Sequence, residues 1–422
     1  MRVFKFGGAS VKDAAAVRNV VSILGMFNKE QLVVVVSAMG KTTNALEAVV
    51  HSYVSGDGKW KERLQVVRDY HKEIIDTLGF PKEHAVRTDT ERSFVEIEWI
   101  AEEAPTRGFN WSYDQIVSQG ELLSTTIIHH YLLLQGISNQ LLDVRDVLMT
   151  DNTYREGKID WSLSGKLIPE KVSSLFKSSP IVLTQGFIGS TSENFTTTLG
   201  REGSDYTAAI FAHCMDAKEM VVWKDVPGIL SADPKFYDDA VKLEQLSYRD
   251  AIELTYYGAT VIHPKTIKPL ENKRIPLRVA SFMAPEDKGT QVGDFAGTKP
   301  LVPCFIFKSD QILFSISSKD FSFIAEENLS GIFALFAKHR VKINMMQNSA
   351  ISFSICADND PMKVPSLVDE ISKEFKVLYN EHLRLITVRH YYPSTIEQLT
   401  KGKTILLEQR SRQTAQVVIK EN

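Results

Sequence analysis

The stretch RVFKFGGASVKDAAAVRNVVSILGMFNKEQLVVVV, residues 2–36, indicates the fold class of this chain. It opens with a short β-type run that ends at Gly7-Gly8, continues with apolar residues at helical spacing, and closes with the aliphatic run 32–36. An unbroken run of this kind is typical of a strand that is covered on both faces in a parallel sheet. We therefore predict a β-α-β unit, in which Ser10 and Asp13 form a capping box that starts the helix directly after the glycines.

The same strand and helix rhythm continues through residues 1–282. After a mostly helical insertion at about 45–110, the patterns predict helices from Gly120, near 163–177, from Ser204 and over Ser247–Tyr257, and strands at 140–144, 181–184, 219–222 and 277–280. Ser247 and Asp250 offer another capping box, and Gly258 suits the end of a helix. Alternation of this kind predicts an α/β domain with a mostly parallel central sheet.

A second architecture follows residues 283–300, where glycine, proline and charged residues accumulate and predict a linker. Over about 310–380 the patterns give the order β-α-β-β-α-β, which is that of a ferredoxin-like α+β domain. Residues 383–422 begin a similar but incomplete unit, and a strand at 301–308 would complete it. The sequence thus predicts two small α+β domains after the α/β domain.

The charge balance argues against a polyanionic partner, because 49 Lys and Arg residues face 52 Asp and Glu residues. The apolar runs are shorter than the roughly 20 residues that a membrane helix needs. No secretory leader is recognisable at the N-terminus, and the three cysteines lack the spacing of a zinc site or a disulfide framework. We expect a cytoplasmic protein that acts on small molecules and binds neither nucleic acid nor membrane.

The segment Lys5 to Ser10 has the features of a phosphate cradle. Gly7 and Gly8 allow backbone N–H groups to approach oxygen atoms closely, and a helix start follows them. A glycine pair after a strand also occurs in plain tight turns. Lys5 favours the cradle, because a charge within an apolar strand is unfavourable unless it meets an anion.

Polar residues also lie where other predicted strands and loops end. The segment 37–43, SAMGKTT, contains Gly-Lys-Thr but is no P-loop, because the earlier glycine of that motif would be Val35. Arg201, between two glycines, could bind a carboxylate with its planar fork, and Glu121 could accept an ammonium group. The turn-rich loop 224–235 follows a strand and could hold a purine. The ten histidines show no metal-binding spacing.

Seven segments occur in one order along the chain: KFGGAS from 5, VVVVSAMGKTTNAL from 33, SQGELLST from 118, LTQGFIGS from 183, TTTLGREGSDYTA from 196, WKDVPGILSADPK from 223 and YGATVIHPKT from 257. Together they resemble the motifs of aspartate kinases. The resemblance implies an amino-acid kinase fold followed by two ACT-type regulatory domains. It also implies L-aspartate and ATP as substrates, Mg²⁺ carried by the nucleotide phosphates, an amino-acid effector at the ACT domains, and a homodimer or higher homo-oligomer.

The same resemblance assigns roles to individual residues. The catalytic residues would be Lys5 and Asp205. Aspartate would be bound by Ser37, Thr43, Glu121, Phe187, Arg201 and Ser204. The nucleotide would be bound by Gly7, Gly8, Ser10, Lys224, Asp225, Leu230 and Lys235. No protein metal site is implied.

The chain departs from the family pattern at several positions. Ala9 stands where threonine is usual, Glu202 where glycine is frequent, Lys235 where arginine is common, and Thr260 where a nucleotide-binding lysine often occurs. Asn348-Ser349-Ala350 lacks the acidic residue that lysine-sensitive relatives often carry beside the serine. The identity of the effector therefore stays open.

Two alternatives remain for the function. A related kinase acting on glutamate or acetylglutamate would use a similar phosphate cradle, and a non-catalytic amino-acid sensor would keep the ACT-type half. The presence of Lys5, Glu121, Arg201 and Asp205 argues against the sensor. A dinucleotide oxidoreductase is excluded, because no Gly-x-Gly-x-x-Gly follows a predicted strand.

Overall fold

The computed structural model describes residues 1–27, 29–259, 262–295, 302–320 and 322–421. Up to residue 224 the element order is β1 (Arg2–Phe6), α1 (Ala14–Met26), β2 (Leu32–Val36), α2 (Thr42–Ser55), α3 (Trp60–Leu78), α4 (Val86–Glu102), α5 (Gly108–Val117), α6 (Gln119–Leu134), β3 (Gln140–Leu142), α7 (Trp161–Leu175), β4 (Ile181–Gln185), β5 (Ile188–Ser190), β6 (Thr196–Thr198), α8 (Gly203–Cys214) and β7 (Met220–Lys224).

The remaining elements are β8 (Gln245–Ser247), α9 (Tyr248–Tyr257), α10 (Pro264–Asn272), β9 (Leu277–Ser281), β10 (Thr290–Gly293), β11 (Cys304–Ser318), α11 (Glu326–Lys338), β12 (Ile343–Asn348), β13 (Ser352–Asp358), α12 (Val364–Glu374), β14 (Phe375–Arg389), α13 (Pro393–Thr400), β15 (Thr404–Arg410) and β16 (Thr414–Lys420).

The chain divides into two compact units. Of the described residues, the first unit takes 1–27, 29–229, 244–252 and 262–295, and the second takes 230–243, 253–259, 302–320 and 322–421.

The first unit is built on a mostly parallel sheet, whose strand order within the described residues is β3-β4-β2-β1-β7-β9-β10-β8. Phe6 at the end of β1 lies in parallel register with Val36 of β2 and with Trp223 of β7. Val36 in turn pairs with Gln185 at the end of β4. The carboxyl ends of four adjacent strands therefore meet at one edge of the sheet, and the predicted α/β class is confirmed.

The apolar runs seen in the sequence form the core of this sheet. Every residue of β2 and β4 is buried, as expected for central strands covered on both faces. Phe4, Phe6 and Trp223 pack in one cluster with the apolar face of α1. Helices α2 to α5 occupy residues 42–117, where the sequence predicts a helical insertion, and they share a separate apolar cluster.

The predicted start of the first helix was wrong. Residues 8–11 form a short 3₁₀ turn, and α1 begins only at Ala14, where Asp13 Oδ1 accepts a hydrogen bond of 2.8 Å from the Ala16 N–H. Ser10 does not cap α1, because its hydroxyl donates to the Trp223 carbonyl over 3.2 Å. The second predicted capping interaction is confirmed, since the Asp250 N–H donates to Ser247 Oγ over 3.0 Å.

The domain boundaries also need correction. Residues 290–293 of the predicted linker form strand β10, which pairs with β9 and β8 in the main sheet, and Thr290 and Val292 are fully buried. Four residues are too few to show the alternation by which a strand is recognised among glycines and charges. The first unit is also not continuous, because 230–243 and 253–259 belong to the second unit. Residues 296–300, the end of the predicted linker, lie outside the described residues.

The second unit contains one antiparallel sheet where the sequence predicts two. The strand order of this sheet, in the described part of the chain, is β12-β13-β11-β14-β16-β15. Both β11 and β14 span 15 residues, and they pair with each other at Phe305↔Val388 and again at Phe314↔Tyr379. The two α+β halves therefore share their central strands. Residue 301, where the completing strand is predicted to begin, lies outside the described residues, and the strand itself begins at Cys304.

Candidate active site

A buried ion pair lies at the carboxyl edge of the parallel sheet. Lys5 Nζ, on β1, is 2.6 Å from Asp205 Oδ1 in the first turn of α8, and the two residues are only 7% and 1% exposed. Lys224 Nζ, at the end of β7, is 3.6 Å from Asp205 Oδ2. Burial opposes ionisation of Asp205, but the two lysines lower its pKa below the ordinary value. Two cations thus surround one ionised carboxylate.

The turn after β1 approaches the turn after β2 very closely. A Cβ atom at Gly8 would lie 2.9 Å from the carbonyl oxygens of both Ala38 and Gly40, and the Gly40 N–H donates to the Gly8 carbonyl over 3.0 Å. A Cβ atom at Gly7 would lie 3.2 Å from Lys5 Nζ. Only glycine therefore leaves the space that brings this backbone beside the buried lysine.

Glu121 is a second buried carboxylate at this edge. It lies in the first turn of α6, is 2% exposed, and accepts a hydrogen bond of 3.3 Å from the Ala38 N–H through Oε1. Burial raises the pKa of Glu121 to about 8, although the Ala38 amide and Lys5 oppose the shift. Its Oε2 atom is buried and has no hydrogen-bond partner among the described residues. A buried oxygen of this kind is available for a hydrogen bond with a ligand.

The other predicted substrate-binding residues lie on neighbouring elements. The Ser37 N–H donates to the Phe6 carbonyl over 3.1 Å at the end of β2, and Thr43 is half-buried in the first turn of α2. Phe187 follows β4 with a φ of +71°, and its N–H donates to Thr207 of α8 over 3.0 Å. Ser204 precedes Asp205, whereas Arg201 is exposed before the helix.

The predicted nucleotide-binding residues are more scattered. Gly7, Gly8 and Lys224 lie at the same sheet edge, and Asp225 is exposed immediately after β7. The Ser10 side chain is buried and bonded within the protein. Leu230 and Lys235 fall in the second unit, where Lys235 is exposed. Thr260, flagged from the sequence, lies outside the described residues.

Sequence reasoning missed Asp114, which fixes the strand that leads toward α8. The fully buried Asp114 carboxylate accepts hydrogen bonds from the Thr198 N–H at 2.9 Å, the Thr198 hydroxyl at 2.7 Å and the Arg155 N–H at 2.9 Å. Burial raises its pKa to about 6 in spite of these bonds. Its only sequence signal is that it is the one charged residue of the helical segment 108–117.

Within the described ranges, no group of three or more His, Cys, Asp and Glu side chains is arranged to hold a metal ion. No helix among those described is both long and apolar enough to span a bilayer.

Residues 1–281 match the family model described as the amino acid kinase family. Over 397 residues the chain is 30% identical to the lysine-sensitive aspartokinase 3 of Escherichia coli (strain K12), which covers 92% of this chain and 86% of the relative. The crystal structure of E. coli aspartokinase III in complex with lysine and aspartate superimposes with a TM-score of 0.85 and 28% identity, covering 99% of this chain and 95% of that one. The E. coli aspartokinase III complex with aspartate and ADP gives a TM-score of 0.81 and 28% identity, covering 99% and 96%.

Proposed function

The chain belongs to the amino acid kinase family and, within it, to the aspartokinases, and we propose from this that it transfers the γ-phosphoryl group of ATP to the side-chain carboxylate of L-aspartate. The observation that carries the proposal is the Lys5, Asp205 and Lys224 cluster beside the glycine turn, with the unpaired carboxylate oxygen of Glu121 on the same edge. The lysines complement the negative charge of a phosphoanhydride, and the Glu121 oxygen complements an ammonium group.

Phosphoryl transfer requires mainly positioning and the neutralisation of charge. The backbone at Gly7 and Gly8 approaches the phosphates, and Lys5, oriented by Asp205, stabilises the charge on the transferring group. The attacking carboxylate needs no base, because an aspartate side chain has a pKa of about 3.9. Mg²⁺ carried by the nucleotide phosphates would add further positive charge there.

On the acceptor side, Glu121 would bind the ammonium group of aspartate and Arg201 its α-carboxylate. Ser37, Thr43, Phe187 and Ser204 would line the pocket between them. The positions of these four residues support this assignment. Ser37 and Phe187 follow the carboxyl ends of β2 and β4. Thr43 and Ser204 lie in the first turns of α2 and α8, at the same sheet edge. The exposed Arg201 would have to turn toward the substrate.

On the nucleotide side, Lys224 and Asp225 would contact the ATP phosphates and ribose together with the glycine turn. Leu230 and Lys235 remain proposed contacts of the same nucleotide. The buried hydroxyl of Ser10 would act through the turn, because it donates to the Trp223 carbonyl one residue before Lys224.

The second unit would bind an amino-acid effector and join two chains as a homodimer or a higher homo-oligomer. The similarity to E. coli aspartokinase III, whose structure is known in complex with lysine and aspartate, supports an effector of this class. The thiols of Cys214, Cys304 and Cys356, which form no disulfide bond among the described residues, suit a reducing, cytoplasmic location.

The proposed substrate is tested by ADP release from the purified full chain with ATP and Mg²⁺, using L-aspartate, L-glutamate and N-acetyl-L-glutamate in parallel. Turnover with L-aspartate alone is expected. ADP formation with either glutamate compound but not with aspartate would assign the chain to a sister kinase. Binding of ligands without any turnover would assign it to the amino-acid sensors.

Replacing Gly8 with alanine should weaken ATP binding. The new Cβ atom would be 2.9 Å from two backbone carbonyls, so the turns after β1 and β2 must move apart. We expect the KM for ATP to rise about tenfold, as for the loss of one charge-assisted hydrogen bond. Steady-state kinetics at saturating aspartate measure this change.

Gly25→Ala is the matched control for this substitution, because nothing lies within 4 Å of a Cβ atom at this helical position. It should leave the KM for ATP unchanged and stabilise α1 by about 1 kcal/mol. Equal KM values for ATP in Gly8→Ala and in the parent enzyme would remove the turn from the nucleotide site.

A further inference from the structure

Thr198, the last residue of β6, is held at each of its polar groups. Its N–H and its hydroxyl donate to the Asp114 carboxylate over 2.9 and 2.7 Å, and its carbonyl accepts from the Gly157 N–H over 2.9 Å. Both Asp114 and Thr198 are fully buried. Hydrogen bonds to a carboxylate are stronger than those between neutral groups, so the end of β6 has one well-defined position.

The turn between β6 and α8 carries Arg201. It begins where the Leu199 N–H donates to the Phe187 carbonyl over 2.8 Å, and it closes where the Gly203 N–H donates to the Gly200 carbonyl over 3.0 Å. The backbone of the turn is thus fixed at both ends. The exposed Arg201 side chain projects from this fixed base.

Asp114 also fixes the segment that packs against this turn. Its Oδ2 atom, which accepts the Thr198 N–H, accepts the Arg155 N–H as well, over 2.9 Å. The Arg155 carbonyl in turn touches the turn itself, because a Cβ atom at Gly200 would lie only 3.2 Å from it. One carboxylate therefore holds two segments together at the base of the Arg201 turn.

Asp114 is equally well connected to Glu121. It lies on α5, Glu121 lies in the first turn of α6, and Ser118 alone separates the two helices. The Ser118 N–H donates to the Asp114 carbonyl over 3.3 Å, and the Glu121 N–H donates to the Ser118 carbonyl over 3.2 Å. A continuous set of hydrogen bonds thus runs from Glu121 through Asp114 to the Arg201 turn.

We propose that Asp114 is a positioning residue for the amino-acid substrate, and that through Thr198 it sets the place of the Arg201 turn relative to Glu121. This inference rests on the proposed function, in which Glu121 binds the ammonium group and Arg201 the α-carboxylate. Both groups are attached to one carbon atom of the substrate, so a small displacement of the turn would prevent their simultaneous contact. The phosphate cradle lies on β1 and β7, and ATP binding should not depend on Asp114.

Asp114→Ala should raise the KM for aspartate about tenfold and leave kcat and the KM for ATP unchanged. Gln115→Ala is the matched control. Gln115 is the next residue of α5, and it exchanges two hydrogen bonds, of 2.7 and 3.1 Å, with the backbone of Thr196 at the other end of β6. Each variant should lower the Tm by about 5 °C, but the KM for aspartate should stay within twofold of the parent in Gln115→Ala. Equal KM values in the two variants would overturn the proposal.

Two milder variants keep the test valid if Asp114→Ala fails to fold. In Asp114→Asn the side-chain carbonyl can accept both N–H groups while the amide donates to the Thr198 hydroxyl, so the KM for aspartate should stay within about twofold of the parent. Thr198→Val removes only the hydroxyl bond and should raise this KM about threefold. An unchanged KM in Thr198→Val, or a tenfold rise in Asp114→Asn, would contradict the role.

A double-mutant cycle with Arg201→Ala tests whether Asp114 acts through Arg201. If it does, Asp114→Ala should raise the KM for aspartate about tenfold in the parent and hardly at all in the Arg201→Ala background. A purely structural loss would reduce aspartate binding by the same factor in both backgrounds. A tenfold effect in both would therefore overturn the proposal.

Calorimetric titration of L-aspartate into the full chain, with ADP and Mg²⁺ present, separates this inference from the proposed function because it requires no turnover. Asp114→Ala should bind aspartate about tenfold more weakly than the parent and than Gln115→Ala. Equal affinities in all three proteins would overturn the role of Asp114 even if aspartate is phosphorylated. A parent enzyme that binds aspartate in the expected pattern but forms no ADP from ATP would instead refute the proposed function.

Discussion

Lys5→Ala should lower kcat by about 10³-fold, because Lys5 is the buried cation expected to stabilise the transferring phosphoryl group. Its Nζ lies 2.6 Å from Asp205 and a Cβ atom at Gly7 would be 3.2 Å from it, so no water-filled gap separates it from the glycine turn. Single-turnover ADP formation at saturating ATP and aspartate measures the chemical step directly.

The substitution also leaves Asp205 buried with Lys224 as its remaining ion-pair partner among the described residues. Removing one partner of a buried ion pair costs about 3–5 kcal/mol, so a loss of activity must be separated from a loss of folding. The double variant Lys5→Ala/Asp205→Asn removes both charges and should regain most of the stability without regaining turnover. Lys12→Ala changes an exposed lysine of the same segment and is the control. A kcat within twofold of the parent in Lys5→Ala would refute the role of Lys5.

Glu121→Gln should raise the KM for aspartate by about 100-fold, as expected when a charge-assisted hydrogen bond is lost. Only the ionised Glu121 can attract an ammonium group, and its pKa is raised to about 8 by burial. In the parent enzyme the KM for aspartate should therefore fall as pH rises from 6 toward 8. In Glu121→Gln it should not vary over that range. Steady-state kinetics at saturating ATP provide both values.

Glu121→Gln, which weakens aspartate binding, should by contrast increase the stability of the fold at higher pH. The folded state holds the Glu121 proton at pH values where the unfolded chain has released it, so this group destabilises the fold as pH rises from about 4.5 to about 8. Glu121→Gln removes that loss, which amounts to at most about 1.4 kcal/mol per pH unit. Its melting temperature should exceed that of the parent increasingly toward pH 8.

Glu102→Gln is the control for the effects of Glu121→Gln on aspartate binding and on stability, because it changes an exposed carboxylate at the end of α4. It should alter neither the KM for aspartate nor the pH dependence of melting. An unchanged KM in Glu121→Gln would assign Glu121 a structural role. A lower melting temperature at pH 8 would contradict the stability argument.

The parallel sheet could be predicted from the sequence, because its central strands are short aliphatic runs that are recognisable without knowledge of the tertiary structure. The helical insertion and the order of elements after residue 300 also followed from periodicity. Strand β10 was missed because four residues show too little alternation. The start of α1 was misplaced because both Ser10 and Asp13 are good capping residues, and only the contact of Ser10 with Trp223, far along the chain, decides between them.

The shared sheet of the second unit could not be deduced from local sequence. Polar residues at 308–311 suggest a break, and the structure indeed has register shifts between Lys308 and Gln311. Strand β11 nevertheless continues, because its whole length pairs with β14 some 70 residues later. Long-range pairing therefore overrides the local signal.

The candidate site was predictable as far as it depends on strand ends. Lys5 and the glycines belong to one continuous segment, and the parallel order brings Lys224 beside them. The unpaired oxygen of Glu121 and the positive φ of Glu202 are properties of the folded backbone and of burial, which no local pattern encodes. The hydrogen bonds of Asp114 to Thr198 likewise join residues distant in sequence.

Identification of the phosphorylated group tests the central claim most directly. The full chain is incubated with ATP, Mg²⁺, L-aspartate and hydroxylamine, which traps acyl phosphates as hydroxamates, and the product is identified by mass spectrometry. We expect the β-hydroxamate of aspartate, in amounts equal to the ADP released and formed about 10³-fold more slowly with Lys5→Ala. Formation of ADP without any aspartyl hydroxamate, or formation of the α-hydroxamate, would contradict the proposed reaction.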